Sequence, residues 1–101
     1  MTKRYTIRYL STAEKDLFEV FEYILKDNPG AALDQLKRFD QIIGHLASNP
    51  RLGAVPNDDR LRKLGYRVLV IDKYLVFYVI KGTVVQIRRI LHGARKYEFL
   101  L

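Results

Sequence analysis

The residues best suited to chemistry in this 101-residue chain lie in its second half. Arg62, Lys63, Tyr66 and Arg67 fall in one segment, Arg88, Arg89 and His92 in another, and Arg95, Lys96 and Tyr97 follow directly. If paired strands bring these segments to a common sheet face or edge, the cluster suits phosphate chemistry. Cutting RNA requires that a 2′-hydroxyl lose its proton, that the phosphorane charge be stabilised, and that the 5′-oxygen be protonated. Guanidinium groups serve the second task, and His92 or Tyr97 can move the protons. The same residues also fit a non-catalytic reading. Tyr66 and Tyr97 are then core or rim aromatics, and the arginines a solvated face or a landing site for an acidic partner. Strand alternation sets Arg88 and His92 on one side and Arg89 on the other, unless a bulge intervenes.

Other chemistries have little to work with. The two histidines, His45 and His92, are far apart in sequence and there is no cysteine, so no metal site, thiol site or disulfide is expected. His45 reads as a surface histidine of a helix. The six glycines are scattered singly, which leaves no phosphate-cradling loop, and no cofactor is expected. Ser11 and Ser48 lack triad partners, and Ser11 is better read as a helix cap.

Charge is placed unevenly. Residues 1–50 hold seven Lys/Arg against seven Asp/Glu, and residues 51–101 hold eleven against four, which gives the whole net charge of +7. A neutral half joined to a basic half implies one positive face able to meet phosphates or an acidic polypeptide. With 49% hydrophobic residues, a single domain over residues 1–101 can form a core without staples. No apolar run approaches a membrane span and the N-terminal residues lack a signal-peptide core, so a cytoplasmic chain without a membrane partner is expected.

The elements that must position these residues follow from periodicity. Tyr5 to Tyr9 alternates as a half-buried strand. Ser11-Thr12-Ala13-Glu14 has the pattern of a capping box, with Ala13, Leu17, Val20, Phe21 and Ile24 as the apolar stripe of the helix behind it. Asn28-Pro29 predicts the N-cap and first position of a second helix, whose stripe is Ala32, Leu36, Phe39, Ile43 and Leu46; Asn49-Pro50 ends it. Residues 50–60 read as loop. Leu64–Ile71, Tyr74–Ile80 and Thr83–His92 read as three strands joined by turns at Asp72-Lys73 and Lys81-Gly82, with Arg62 and Lys63 leading into the first of them. The expected fold is α+β, ordered β-α-α-β-β-β, with a helical hairpin on a mostly antiparallel four-stranded sheet. The apolar end, Phe99 to Leu101, is expected to dock on this sheet or under a partner.

In this layout the chain resembles the RelE/ParE toxin superfamily from end to end. The resemblance is carried by Tyr5-x-Ile7-x-Tyr9-x-Ser11-x-Ala13-x-x-Asp16-Leu17-x-x-Val20-x-x-Tyr23-Ile24 at the start. Arg62-x-Leu64-x-Tyr66-Arg67 and Tyr74-x-Val76-Phe77-Tyr78 carry it in the middle, and Ile87-x-Arg89-Ile90-x-His92-Gly93-x-Arg95 at the end. Lys96 departs from the pattern, standing where an acidic residue is common. The resemblance implies a toxin of a type II toxin–antitoxin pair, held in a hetero-oligomer by a cognate antitoxin whose disordered segment folds over it. RelE-like members cut messenger RNA on the ribosome, and ParE-like members poison DNA gyrase by binding it. For the ribosomal reading the candidate catalytic residues are Arg67 and Arg89 on the phosphate with His92 or Tyr97 moving protons. Arg62, Lys63, Arg88, Arg95 and Lys96 would be contacts to nucleic acid.

Overall fold

The structure, a computed structural model, describes residues 4–93 and 101. Strand β1 (Thr6–Tyr9) leads into helix α1 (Ser11–Leu25) and then helix α2 (Pro29–Gly44), which runs on through a 3-10 turn at His45–Ala47. A short helix α3 (Asp59–Lys63) precedes strands β2 (Tyr66–Ile71), β3 (Tyr74–Lys81) and β4 (Val84–His92). The sheet order is β1-β4-β3-β2. β1 runs parallel to β4, and the other pairings are antiparallel, as the hairpin turns dictate. The expected α+β layout stands.

The helical hairpin covers one face of the sheet. Ala13, Phe39, Ile43 and Leu46 bury themselves there against Leu69, Ile71, Val76, Tyr78, Val85, Ile87 and Ile90. The opposite face carries a second cluster of Tyr66, Phe77, Val79 and Leu91, closed by Leu61 of α3 and by Leu101. The expected docking therefore holds for Leu101; Phe99 and Leu100 lie outside the described residues.

Three local expectations need correction. Ser11 does not cap α1: it is the first helical residue, and Leu10 holds the N-cap with no side-chain cap bond. The reason is that the chain leaves β1 directly, since Leu10 N still donates to Ile87 O as a strand residue would. Asn28 does cap α2, its side chain accepting from Ala31 N at 3.1 Å, with Pro29 in the first turn. Next, Arg62 and Lys63 do not lead into a strand. They belong to α3, whose N-cap Asp58 accepts from Leu61 N at 2.9 Å. Gly65, at φ 84, then makes the left-handed step into β2.

Third, a bulge does intervene in β4. Phe77 pairs with Arg89 and Tyr78 with Ile87, so Arg88 is the extra residue. The phase of alternation flips there. Val85, Ile87 and Ile90 all face the helices, while Leu91 faces the other cluster. Arg88 and His92 are consequently not on one side.

Candidate functional site

β1 pairs with β4 only as far as Ile87, and beyond that point α1 takes over the exposed strand edge. Thr12 Oγ1 donates to Arg88 O at 3.0 Å, and Asp16 Oδ2 accepts from Ile90 N at 3.0 Å. Two helix side chains thus satisfy backbone groups that a neighbouring strand would otherwise pair. Arg89 closes the arrangement, with Nε 2.7 Å from Asp16 Oδ2 and Nη2 2.9 Å from Oδ1. This bidentate ion pair is the strong form of the contact, and it raises the Arg89 pKa through the hydrogen bond to Asp16, against the opposing effect of burial.

His92 stands at the end of β4. Its ring meets Tyr74 edge-on with centroids 5.6 Å apart. Asp16, Tyr23, Asp72, Tyr74, Ile90 and His92 help to line a cleft of about 690 Å³ between the helices and the β2–β3 turn. Asp72 sits in that turn at φ 56 and accepts from Arg38 Nε at 2.8 Å and Gln35 Nε2 at 3.1 Å. Its pKa is lowered by these bonds, that to Arg38 first. Tyr74 is pushed up by burial, then by Tyr23 and Asp72.

Arg67 lies elsewhere. It pairs with Tyr78, whereas His92 pairs with Tyr74, on the far side of β3. Four residues of strand separate the two positions, about 13 Å along the strand direction. Arg67 Nη1 donates to Gly53 O at 2.8 Å and reaches Arg51 O at 3.4 Å. Tyr78 completes the hold on this loop, donating from its hydroxyl to Pro50 O at 2.7 Å and accepting from Gly53 N at 2.8 Å. Burial raises the Tyr78 pKa, against the lowering by its bond at Gly53 and by Arg67. A glycine is required at position 53, because a Cβ there would come within 2.7 Å of Tyr78 Oη and 2.9 Å of Val68 O.

Arg88 stands with the opposite cluster. Its guanidinium lies 5.6 Å over the Tyr66 ring, a cation–π distance, and Nη2 donates to Gln86 Oε1 at 3.1 Å. Its Nε is buried without a hydrogen-bond partner among the described residues. On α3, Arg62 pairs with Asp59, and Lys63 is exposed beside it. Arg60 Nη1 donates to Leu101 O at 3.2 Å. Arg95, Lys96 and Tyr97 lie outside the described residues.

The fold therefore puts His92 on the cleft with Asp16, ties Arg89 to that same Asp16 without making it part of the cleft lining, leaves Arg67 on β2 holding the 51–53 loop, and puts Arg88 on the opposite face. Asp16 and Tyr78 were missed as organising residues. Asp16 had a signal: with Ala13, Leu17 and Val20 it lies on the buried side of α1, and a carboxylate there needs a partner. No described group of His, Cys, Asp and Glu is arranged to hold a metal ion. No described helix is long and apolar enough to cross a membrane.

Comparison with known proteins agrees with this geometry. The family described as ParE toxin of type II toxin–antitoxin system, parDE, matches residues 7–97. The chain is similar in structure to a chain of the chromosomal ParDE system from P. aeruginosa, with TM-score 0.74 and 19% identity over 89% of this chain and 97% of that one. It is also similar to a chain of the RelBE2 toxin–antitoxin complex from Mycobacterium tuberculosis, at TM-score 0.61 and 25% identity, covering 88% and 98%. YafQ from E. coli gives TM-score 0.54 and 20% identity over 90% and 96%. No curated protein sequence matches.

Proposed function

The chain belongs to the ParE toxin family of type II toxin–antitoxin systems, and from that premise we propose that it stops growth by binding DNA gyrase, without cutting RNA. The observation that supports this reading is the engagement of the expected catalytic side chains elsewhere. Arg67 holds the carbonyl of Gly53, and Arg89 holds Asp16 in a bidentate pair. An in-line attack on phosphate needs its cation, base and acid within a few ångströms of one another. Arg67 and His92 lie at opposite ends of the sheet face, and the bulge at Arg88 keeps that arginine from His92. A binder has no such requirement.

Regulated expression without antitoxin tests the proposal. Growth arrest with altered plasmid supercoiling and a DNA-damage response is the expected result. New 5′ ends in messenger RNA, with supercoiling unchanged, would overturn it. The second reading, ribosome-dependent RNA cleavage, is favoured by Arg88, whose buried Nε beside Tyr66 lacks a partner among the described residues. On that reading the catalytic work would rest on Arg89, His92 and Tyr97. The cognate antitoxin is the partner on either reading, and the solved relatives include toxin–antitoxin complexes.

A further inference from the structure

The far end of the helical hairpin, residues 21–38, sits on the molecule with little apolar support. Between Asp16 and Phe39, Ala32 alone is fully buried. None of residues 21–38 belongs to either apolar cluster of the sheet. Anchorage resumes at Phe39, whose ring meets Tyr74 edge-on with centroids 5.3 Å apart. Among the described residues, the hydrogen bonds that tie 21–38 to the sheet both end on Asp72 Oδ2. Arg38 Nε donates at 2.8 Å and Gln35 Nε2 at 3.1 Å. The receiving turn is itself fixed, since Gly93 N donates to Lys73 O at 2.8 Å. Asp72 is the one described non-glycine residue with positive φ, at 56, a conformation that glycine adopts most easily. Gln35 and Asp72 both line the cleft that holds Tyr74 and His92. Their ion-pair partner is open to solvent, with side-chain exposures of 52% for Arg38 and 37% for Asp72.

We propose that Asp72, Arg38 and Gln35 form a salt-responsive strap, which holds the far end of the hairpin against the β2–β3 turn and sets how far the cleft opens. An exposed ion pair is weak and competes with dissolved ions. No residue of 21–38 adds to an apolar cluster behind it. Weakening the strap therefore releases the hairpin end while Phe39, Ile43 and Leu46 stay buried on the sheet. Local opening of this kind needs far less free energy than unfolding the domain. A ligand that requires the wider cleft then binds in proportion to the fraction of molecules already released. Access to Tyr74 and His92 is thereby gated by charge.

Hydrogen exchange read by mass spectrometry tests the strap, with peptides over 21–38 compared against peptides over 39–47 and 74–92. Asp72→Gly suits the positive φ, so it removes the carboxylate without straining the turn. It is expected to speed exchange in 21–38 about fivefold and to leave the other two segments unchanged. Asp72→Asn keeps an acceptor for Gln35 but loses the ion pair, and a rise of about twofold is expected. Raising salt from about 0.01 M to about 1 M shortens the screening length from roughly 30 Å to roughly 3 Å. Exchange in 21–38 should rise with salt in the wild type and stay level in Asp72→Gly. Asp34→Asn, an exposed change on α2 outside the strap, should alter nothing. Unaltered exchange in Asp72→Gly, or an equal rise in all three segments, overturns the proposal. The second result would make the strap a contact that supports the whole fold. Growth arrest plays no part in this test, so its outcome is separable from that of the gyrase reading.

Discussion

Asp16 Oδ2 lies 2.7 Å from Arg89 Nε and 3.0 Å from Ile90 N, so one carboxylate joins helix α1 to both the side chain and the backbone of β4. The carboxylate is almost fully buried, at 6% exposure. Asp16→Ala removes these two bonds and the one from Arg89 Nη2 to Oδ1, and breaks the ion pair with Arg89, for an expected loss of about 3 kcal/mol in unfolding free energy. Asp16→Asn keeps an acceptor for Ile90 N and should lose about half as much. Urea denaturation measures both. Equal losses for the two variants would mean that the charge contributes little.

That clamp also shows what could be read from sequence and what could not. The helices and strands were legible because Leu17, Val20, Leu36 and Phe39 repeat at helical spacing and residues such as Val76, Tyr78 and Val85 alternate. The Asn28 cap was legible because its signal is local. Ser11 misled for a tertiary reason: Leu10 stays tied to Ile87 O, so the chain enters the helix without needing a side-chain cap. Helix α3 is too short for periodicity to register, and the polar run Asn57-Asp58-Asp59 looks like loop while in fact capping it. The bulge at Arg88 depends on pairing with Phe77 and Tyr78, which β4 does not encode alone. The candidate site suffered most from this, because faces were assigned by unbroken alternation.

Gly53 and Tyr78 should behave as one unit. Gly53→Ala places a Cβ within 2.7 Å of a fully buried hydroxyl, and an expected cost of about 2 kcal/mol follows from overpacking. Tyr78→Phe leaves Gly53 N without its acceptor and Pro50 O without its donor, at about 2 kcal/mol. The double variant removes the contact with the hydroxyl but keeps those with the ring carbon Cε1 at 2.8 Å and Val68 O at 2.9 Å, so the two losses should add to somewhat less than their sum in a denaturation cycle. Simple additivity would show that Gly53 is constrained by Val68 O instead.

Alkaline pH should weaken the fold through Tyr9. Its pKa is raised from 10.0 to about 12, first by burial and then by Asp40. A folded-state pKa above the unfolded value means that the folded form holds the proton more tightly. The associated stability is fully present below pH 10 and is lost as pH rises through 10 to 12. Tyr9→Phe should flatten this decline in thermal melts across that window. The phenolate absorbance difference between wild type and Tyr9→Phe should titrate late, and earlier in Asp40→Asn. A Tyr9 midpoint near 10 would refute the environment described.

The last expectation separates the two modes of toxicity by side-chain chemistry. His92 is exposed at the cleft rim and in ring contact with Tyr74, so His92→Gln should leave folding nearly intact. Tyr97→Phe removes one hydroxyl. If the chain arrests growth by occupying gyrase, each variant binds with little change, and the concentration needed for arrest shifts about twofold at most. If it cleaves RNA, loss of a proton-transfer group should slow cleavage about a hundredfold or more. Arg89 must be read differently, because Arg89→Ala also breaks the pair with Asp16. Arg89→Lys keeps a charge there but cannot reproduce the bidentate contact, so both modes lose stability with it. Only a loss in His92→Gln or Tyr97→Phe, with thermal stability preserved, assigns catalysis. Retained arrest in both variants, together with altered supercoiling, would match a toxin that works by binding alone.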